Sequence, residues 1–240
     1  MAAPVRVLGV AASPRRGNTA VLVRASLLGA ATVGEVATDY LSLAGLAIAP
    51  CDGCERCLAR GACVLDDDMR PLYGRLLEAD AIILGTPVYF GSMSALCKAF
   101  MERVEGLGVT EKRLRLKVGG AIAVGASRNG GQETTLAALN LWFHVNDMLP
   151  VGITAPVSQW GVTGVTGADP SDALRDEVEL KLVPRSVKAT QMAWMYGRKV
   201  ATVARIVRAG IEASGLDLPD APYGHSLPQP FPPELDELEP

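Results

Sequence analysis

The sequence predicts an α/β chain built on a doubly wound, five-stranded parallel sheet. Three observations carry that reading. Short apolar, β-branched runs recur along the chain, stretches with helical apolar spacing separate them, and loops rich in Gly, Ser, Asn and Pro follow several of the runs. Right-handed crossovers then place helices on both faces of the sheet.

Val5 to Val10 is the first predicted strand; Ala11-Ala12-Ser13-Pro14 ends it, and Thr19 to Leu28 is spaced as a helix. Val36 to Leu43 is the second strand. After a cysteine-rich segment, Asp66-Asp67-Asp68 is placed to cap a helix running to about Glu78, with Pro71 tolerated in its first turn. Ala81 to Gly85 is apolar throughout, as a strand covered on both faces should be, and a helix from Met93 to about Glu105 follows. Val118 to Val124 is the fourth strand, Glu133 to Met148 its helix and Val151 to Ala155 a short fifth strand. Ser158 to Asp169 reads as a Gly/Thr-rich loop, and Pro170 to Leu182 and Val187 to Ala213 read as helices. Together these predict one domain over residues 1–214, with a cysteine loop at 50–65 and an excursion loop at 156–186. An extended C-terminal region closes the chain, ending in a Pro-rich acidic tail at 215–240 that stays loose or wraps a neighbouring subunit.

Lys plus Arg number 23 and Asp plus Glu 26, for a formal charge of −3 and no basic cluster, which argues against nucleic acid or an anionic membrane as partner. No apolar run reaches the roughly 20 residues that span a bilayer, and Met1 to Pro4 leads straight into a strand, so a soluble, cytoplasmic protein is expected. Only two histidines occur, His144 and His225, and neither has the surroundings of a hydrolytic triad.

In an open parallel sheet, ligands bind beyond the carboxyl ends of the strands. Three loops there are chemically rich. Ser13-Pro14-Arg15-Arg16-Gly17-Asn18-Thr19 offers hydroxyls, backbone N–H groups at a helix start and arginines, the parts of a phosphate site, although it is neither a Walker A motif nor a dinucleotide fingerprint. Thr86-Pro87-Val88-Tyr89-Phe90-Gly91-Ser92 sets a proline and two aromatics where a flat ring could pack. Ser127-Arg128-Asn129-Gly130-Gly131-Gln132-Glu133 adds backbone donors from a glycine pair. Each alone is ordinary turn chemistry; together, after strands one, three and four, they suit flavin mononucleotide (FMN).

Four of the five cysteines, Cys51, Cys54, Cys57 and Cys63, are separated by two, two and five residues. Such crowding in a cytosolic chain points to metal or redox chemistry more than to structural disulfides. Four soft thiolates on a compact loop can converge on an iron–sulfur cluster, but the last spacing is not that of a ferredoxin. Tetrahedral zinc, a redox-active cysteine pair and unliganded thiols are the alternatives. Cys97 has the helical spacing of a packing residue. Trp142, Trp160, Trp194, Met192 and Met195 suit either a subunit interface or the core.

Ser13-Pro14-Arg15 with Gly17-Asn18-Thr19, Gly85-Thr86-Pro87-Val88-Tyr89 and Gly130-Gly131-Gln132-Glu133 resemble the NADPH-dependent FMN reductase superfamily of flavodoxin-like proteins, from about Val5 to Ala155. The resemblance implies that Ser13, Arg15, Gly17, Asn18 and Thr19 hold the FMN phosphate. It sets Pro87, Val88, Tyr89, Phe90 and Gly91 along the isoalloxazine ring, with Ser127, Arg128, Gly130 and Gly131 at its polar edge. The cysteine spacing is similar to the compact motif of the iron-sulfur flavoprotein branch, which implies a [4Fe-4S] cluster on Cys51, Cys54, Cys57 and Cys63 and a homodimer or homotetramer. The implied function is electron transfer between a donor, NAD(P)H or reduced ferredoxin, and a small-molecule or protein acceptor. A cluster-free NAD(P)H-dependent reductase of flavins or quinones and a non-enzymatic flavodoxin-like carrier are the competing readings.

Overall fold

The structure is a computed structural model of the 240-residue chain, in which residues 3–107, 113–127, 129–153, 159–165 and 189–215 are described. In chain order they form β1 (Val5–Ala11), α1 (Asn18–Ala31), β2 (Val36–Ser42), α2 (Arg56–Arg60), α3 (Leu72–Glu78) and β3 (Ala81–Tyr89). Then come β4 (Ser92–Met93), α4 (Ala95–Arg103) with a 3-10 turn at Val104–Leu107, β5 (Val118–Gly125), α5 (Gln132–Val145), β6 (Leu149–Val151), β7 (Val162–Val165) and α6 (Ala189–Ser214). The predicted helix at Pro170 to Leu182 and the tail from Leu216 onward lie outside the described residues.

The sheet order is β2-β1-β3-β5-β6, all parallel along that path, the arrangement of a flavodoxin-like fold. β1, β3 and β5 are the central strands, and Ile82, Ile83, Leu84, Ala121 and Ile122 are fully buried, as strands covered on both faces require. On one face Val7, Ile83 and Ile122 pack with Leu22 and Val23 of α1 and Val200 and Ala204 of α6. On the other, Leu8, Ile82 and Leu84 pack with Leu76 of α3, Phe100 of α4 and Phe143 of α5.

Seven strand segments, not five, make up this sheet. β4 is a two-residue return that pairs antiparallel with the end of β3. The predicted fifth strand is split: β6 pairs with Val118 to Gly120, and β7, within the stretch read as a loop, pairs with Ile122 to Gly125 along the same edge of β5. The break falls at Gly152, where the returning backbone at Gln159 passes so close that a Cβ would collide with its carbonyl. Of the predicted strand Val151 to Ala155, Val151 ends β6, Gly152 and Ile153 are not in a strand, and Thr154 and Ala155 lie outside the described residues.

Splitting the edge leaves Ala121 opposite neither segment, and its N–H lies in the core. Tyr196 of α6 fills the gap: its buried phenol accepts from Ala121 N at 2.9 Å and donates to the carbonyl oxygen of Val151. Burial raises the phenol's pKa far above its ordinary value, so it remains a donor. The acidic run is also used differently from the expectation. α3 starts only at Leu72, after Pro71, and Asp66 to Asp68 do not cap it. Asp68 instead accepts from Ala47 N at 2.7 Å and Asp67 from Ala49 N at 3.0 Å, tying the chain before α3 to the segment after β2.

Tyr196→Phe removes the acceptor for a buried N–H and should destabilise the fold by about 1–3 kcal/mol. Denaturant unfolding measures this; an unchanged midpoint would show that the phenol does not bridge the split edge.

Candidate functional site

The order of strands reverses between β1 and β3, and the loops following them meet at the carboxyl edge. Ala12 N donates to Gly85 O at 2.7 Å, and the buried Ser94 hydroxyl donates to Ala12 O at 2.9 Å while accepting from Cys97 N to cap α4. Thr86 completes the tie, its hydroxyl accepting from Ser94 N at 3.2 Å. The sequence places Thr86 in the second loop but does not show its tie to Ser94, and Ser94 escaped the sequence reading because a cap serine beside a loop carries no mark of a partner 82 residues away.

In the first loop Ser13 is buried and its Oγ accepts from Arg15 N at 3.1 Å, which bends the chain so that Pro14 to Gly17 face solvent. α1 then begins at Asn18 with Gly17 at its N-cap, no side-chain cap and no acidic residue in the first turn. Most helices satisfy some of their first N–H groups with a capping side chain. Here the positive end of the helix is left beside the exposed Arg15 and Arg16, with Asn18 half-buried and Thr19 buried. A phosphate dianion is the partner this arrangement suits.

Pro87 is buried at the end of β3, and Val88 and Tyr89 are half-buried. Val88 and Tyr89 pair with Met93 and Ser92, so Phe90 and Gly91 form a two-residue hairpin turn, with φ of 50° and 82°. Positive φ at both positions is the signature of a type I′ turn, which a bulky aromatic rarely enters. The turn leaves Phe90 fully exposed, an apolar side chain at the rim of the crevice. The third loop is shaped by the buried Gln132, whose Nε2 donates to Ser127 O at 2.6 Å and whose Oε1 accepts from Gly130 N at 2.9 Å. Gly131 (φ 104°) lies so near the second loop that a Cβ would sit 2.5 Å from Gly91 O, and Thr134 Oγ1 donates to that same carbonyl at 3.3 Å. Loops one and two, and two and three, are thus in direct contact; Arg128 lies outside the described residues.

The cysteine loop leaves the same edge after β2 and packs against the far end of α4. Cys51, Cys54, Cys57 and Cys63 line one hollow with Val64, Leu65, Glu102, Arg103, Glu105 and Gly106. All four are free thiols. Gly53 N donates to Cys51 Sγ at 3.4 Å, Cys51 N donates to Glu102 Oε2 at 3.3 Å, and the single-turn helix α2 carries Cys57. Burial and the Glu105 carboxylate push the Cys57 thiol up.

Beneath the loop, Arg103 is 1% exposed. Its Nη1 donates to Asp67 Oδ2 at 2.6 Å and to Ala49 O at 3.0 Å, and its Nη2 to Asp67 Oδ1 at 3.1 Å. Burial works against both charges, but the Asp67 hydrogen bonds and the nearby Cys63 side chain keep Arg103 protonated, and the hydrogen bonds from Arg103, Ala49 and Met69 hold Asp67 below the usual carboxylate range. Burial also pushes the Tyr73 phenol beside Cys63 up to about 12; it donates to Arg103 O at 2.8 Å.

Among the described residues, no three His, Cys, Asp or Glu side chains are drawn to metal-holding distance, and the hollow measures about 30 Å³. The donor set nevertheless fits an iron–sulfur cluster in type, number and shared location, and Arg103, whose buried Nε has no hydrogen-bond partner, is among the residues lining the hollow. Cys97 is fully buried, as expected, with its thiol pushed up to about 12 by burial. Trp142 and Met192 are core residues, whereas Trp160, Trp194 and Met195 are exposed.

Residues 5–161 match the family described as NADPH-dependent FMN reductase. An iron-sulfur flavoprotein of Methanocaldococcus jannaschii is 42% identical over 205 residues, covering 85% of this chain and all of that one. An iron-sulfur flavoprotein of Methanosarcina thermophila is 36% identical over 148 residues, 62% of this chain and 78% of the other. Among solved structures, a WrbA-like flavodoxin from Agrobacterium tumefaciens superposes with a TM-score of 0.55 at 23% identity, over 85% of this chain and 98% of its own, and shows the shared fold. The fold and these similarities define an FMN-dependent oxidoreductase. The chain belongs to the NADPH-dependent FMN reductase family, in its iron-sulfur flavoprotein branch.

Gly131→Ala forces the second and third loops apart and strains a positive φ. FMN should bind at least tenfold more weakly, about 1.4 kcal/mol, measured by quenching of flavin fluorescence; wild-type affinity would show that the loop contact does not shape the flavin site.

Proposed function

We propose that the chain holds FMN at the β1/β3 crevice and a [4Fe-4S] cluster on Cys51, Cys54, Cys57 and Cys63, and passes electrons between a reduced donor, NAD(P)H or a reduced ferredoxin, and a small-molecule or protein acceptor. The observation that carries the reading is the gathering of four thiols around one hollow at the far end of the helix that starts beneath the flavin-ring loop. From Ser94 to Arg103 is about 13 Å along α4 at 1.5 Å per residue.

In this reading Ser13, Arg15, Gly17, Asn18 and Thr19 hold the phosphate through hydroxyls, the α1 N–H groups and one guanidinium. Pro87 to Gly91 pack against the ring, and Ser127, Arg128, Gly130 and Gly131 present donors to its polar edge. FMN, when bound, supplies exchange of both one and two electrons. The protein's part is to hold the ring flat against the second loop and leave one face open to a donor, which explains why no acid–base pair is needed. Closure of the thiol cage is coupled to metal binding, as in sites assembled only around their ion.

The same reading includes a second copy of the chain. Leu141 and Val145 are 64% and 55% exposed on the outer side of α5, the helix that starts at the third loop. An apolar face of this kind suits burial against its own copy in a homodimer or homotetramer.

The test is purification without oxygen, followed by light scattering and by analysis of iron, sulfide and zinc. The expected result is a dimer or larger assembly with flavin absorption bands and about four iron atoms per chain. Flavin without iron would overturn the cluster, zinc in its place would make the centre structural, and a monomer would overturn the assembly.

A further inference from the structure

We infer that Arg103 is the positioning residue that sets the reduction potential of the cysteine-held centre, by donating Nε–H to sulfur from beneath the hollow. The inference rests on the cluster reading above. Asp67 and Ala49 O take the two terminal nitrogens of Arg103, while Nε is buried and has no hydrogen-bond partner. A buried donor left unpaired is costly, and native proteins retain one where a further acceptor completes it. Arg103 lines the same hollow as Cys51, Cys54, Cys57 and Cys63, so sulfur is the acceptor on that side.

Other charges surround the hollow, but in a different medium. Asp52, Glu55 and Arg56 are exposed, and Glu102 and Glu105 are partly so; water screens them. Arg103 is the buried charge of the set. It is fixed in orientation by a two-point grip on Asp67, which itself is held by Ala49 N and Met69 N. Four thiolates around iron form an anionic unit, and one added electron makes it more negative. A fixed cation and N–H donor therefore favour the reduced form and raise the potential. Asp67 acts in the opposite sense, offsetting part of that charge while keeping the guanidinium in place.

The experiment is a mediated redox titration with dithionite, followed by electron paramagnetic resonance, on protein purified without oxygen, with iron counted in every sample. Arg103→Gln should retain iron and lower the one-electron midpoint, the reduced form losing at least tenfold in stability, or about 59 mV. Arg103→Lys keeps the charge but not the fork and should fall between Arg103→Gln and wild type. Asp67→Asn should move the midpoint upward. Damage to the loop alone would not shift the two sites in opposite directions. Should Arg103→Gln not fold, the same opposition is read from Arg103→Lys against Asp67→Asn. Iron-loaded variants with an unmoved midpoint, or all moved the same way, overturn the role of Arg103 alone. Wild-type protein without iron overturns the cluster reading and this inference with it.

Discussion

Where β1 and β3 lie side by side, the chain leaves them in opposite directions, and α1 and α4 depart on opposite faces of the sheet. No crossover helix can then cover the gap between their carboxyl ends. The rest of the site follows from this constraint. The start of α1 opens onto the gap without a capping side chain, the β3 loop turns back on itself through Phe90 and Gly91, and the Ser94 hydroxyl ties both sides together through Ala12 O. The third loop is added by contact, Gly131 against Gly91.

α4 gives the second constraint. It begins under the second loop, capped by Ser94, and ends in Arg103, whose positive charge suits the negative end of a helix. That end is buried because the cysteine loop and the Asp67 turn close over it. The buried pair of Arg103 and Asp67 therefore has two uses: it closes the gap between the segment after β2 and the start of α3, and it brings a cation beneath four thiols. As a source of stability alone a buried ion pair is a weak device, so its position under the cysteines matters more than its contribution to folding.

Much of this was legible in the sequence because it is local. Ala81 to Leu84 reads as a covered strand from its composition, and the three loops announce themselves by Gly, Ser, Asn and Pro following such runs. Cysteines two and five residues apart lie close wherever the loop goes. The parts that were not legible depend on distant partners. Asp66 to Asp68, just before a proline and an apolar run, have the local pattern of a helix start; their partners Ala47, Ala49 and Arg103 are set only by the tertiary fold. The split edge was hidden for a similar reason. A three-residue strand and a four-residue strand are too short to show a period, and the residue that reconciles them, Tyr196, comes 45 positions after Val151. Arg128 and the tail after Gly215 lie outside the described residues.

The proposed function gives one fold two redox sites, a flavin at the strand edge and a thiol-held centre at the far end of α4. Counting electrons tests it most directly, by titrating the protein without oxygen against a standardised reductant until its absorption stops changing. Uptake of about three electrons per chain, two at the flavin and one at the cluster, is expected. Uptake that stops at about two, with iron absent, would contradict it.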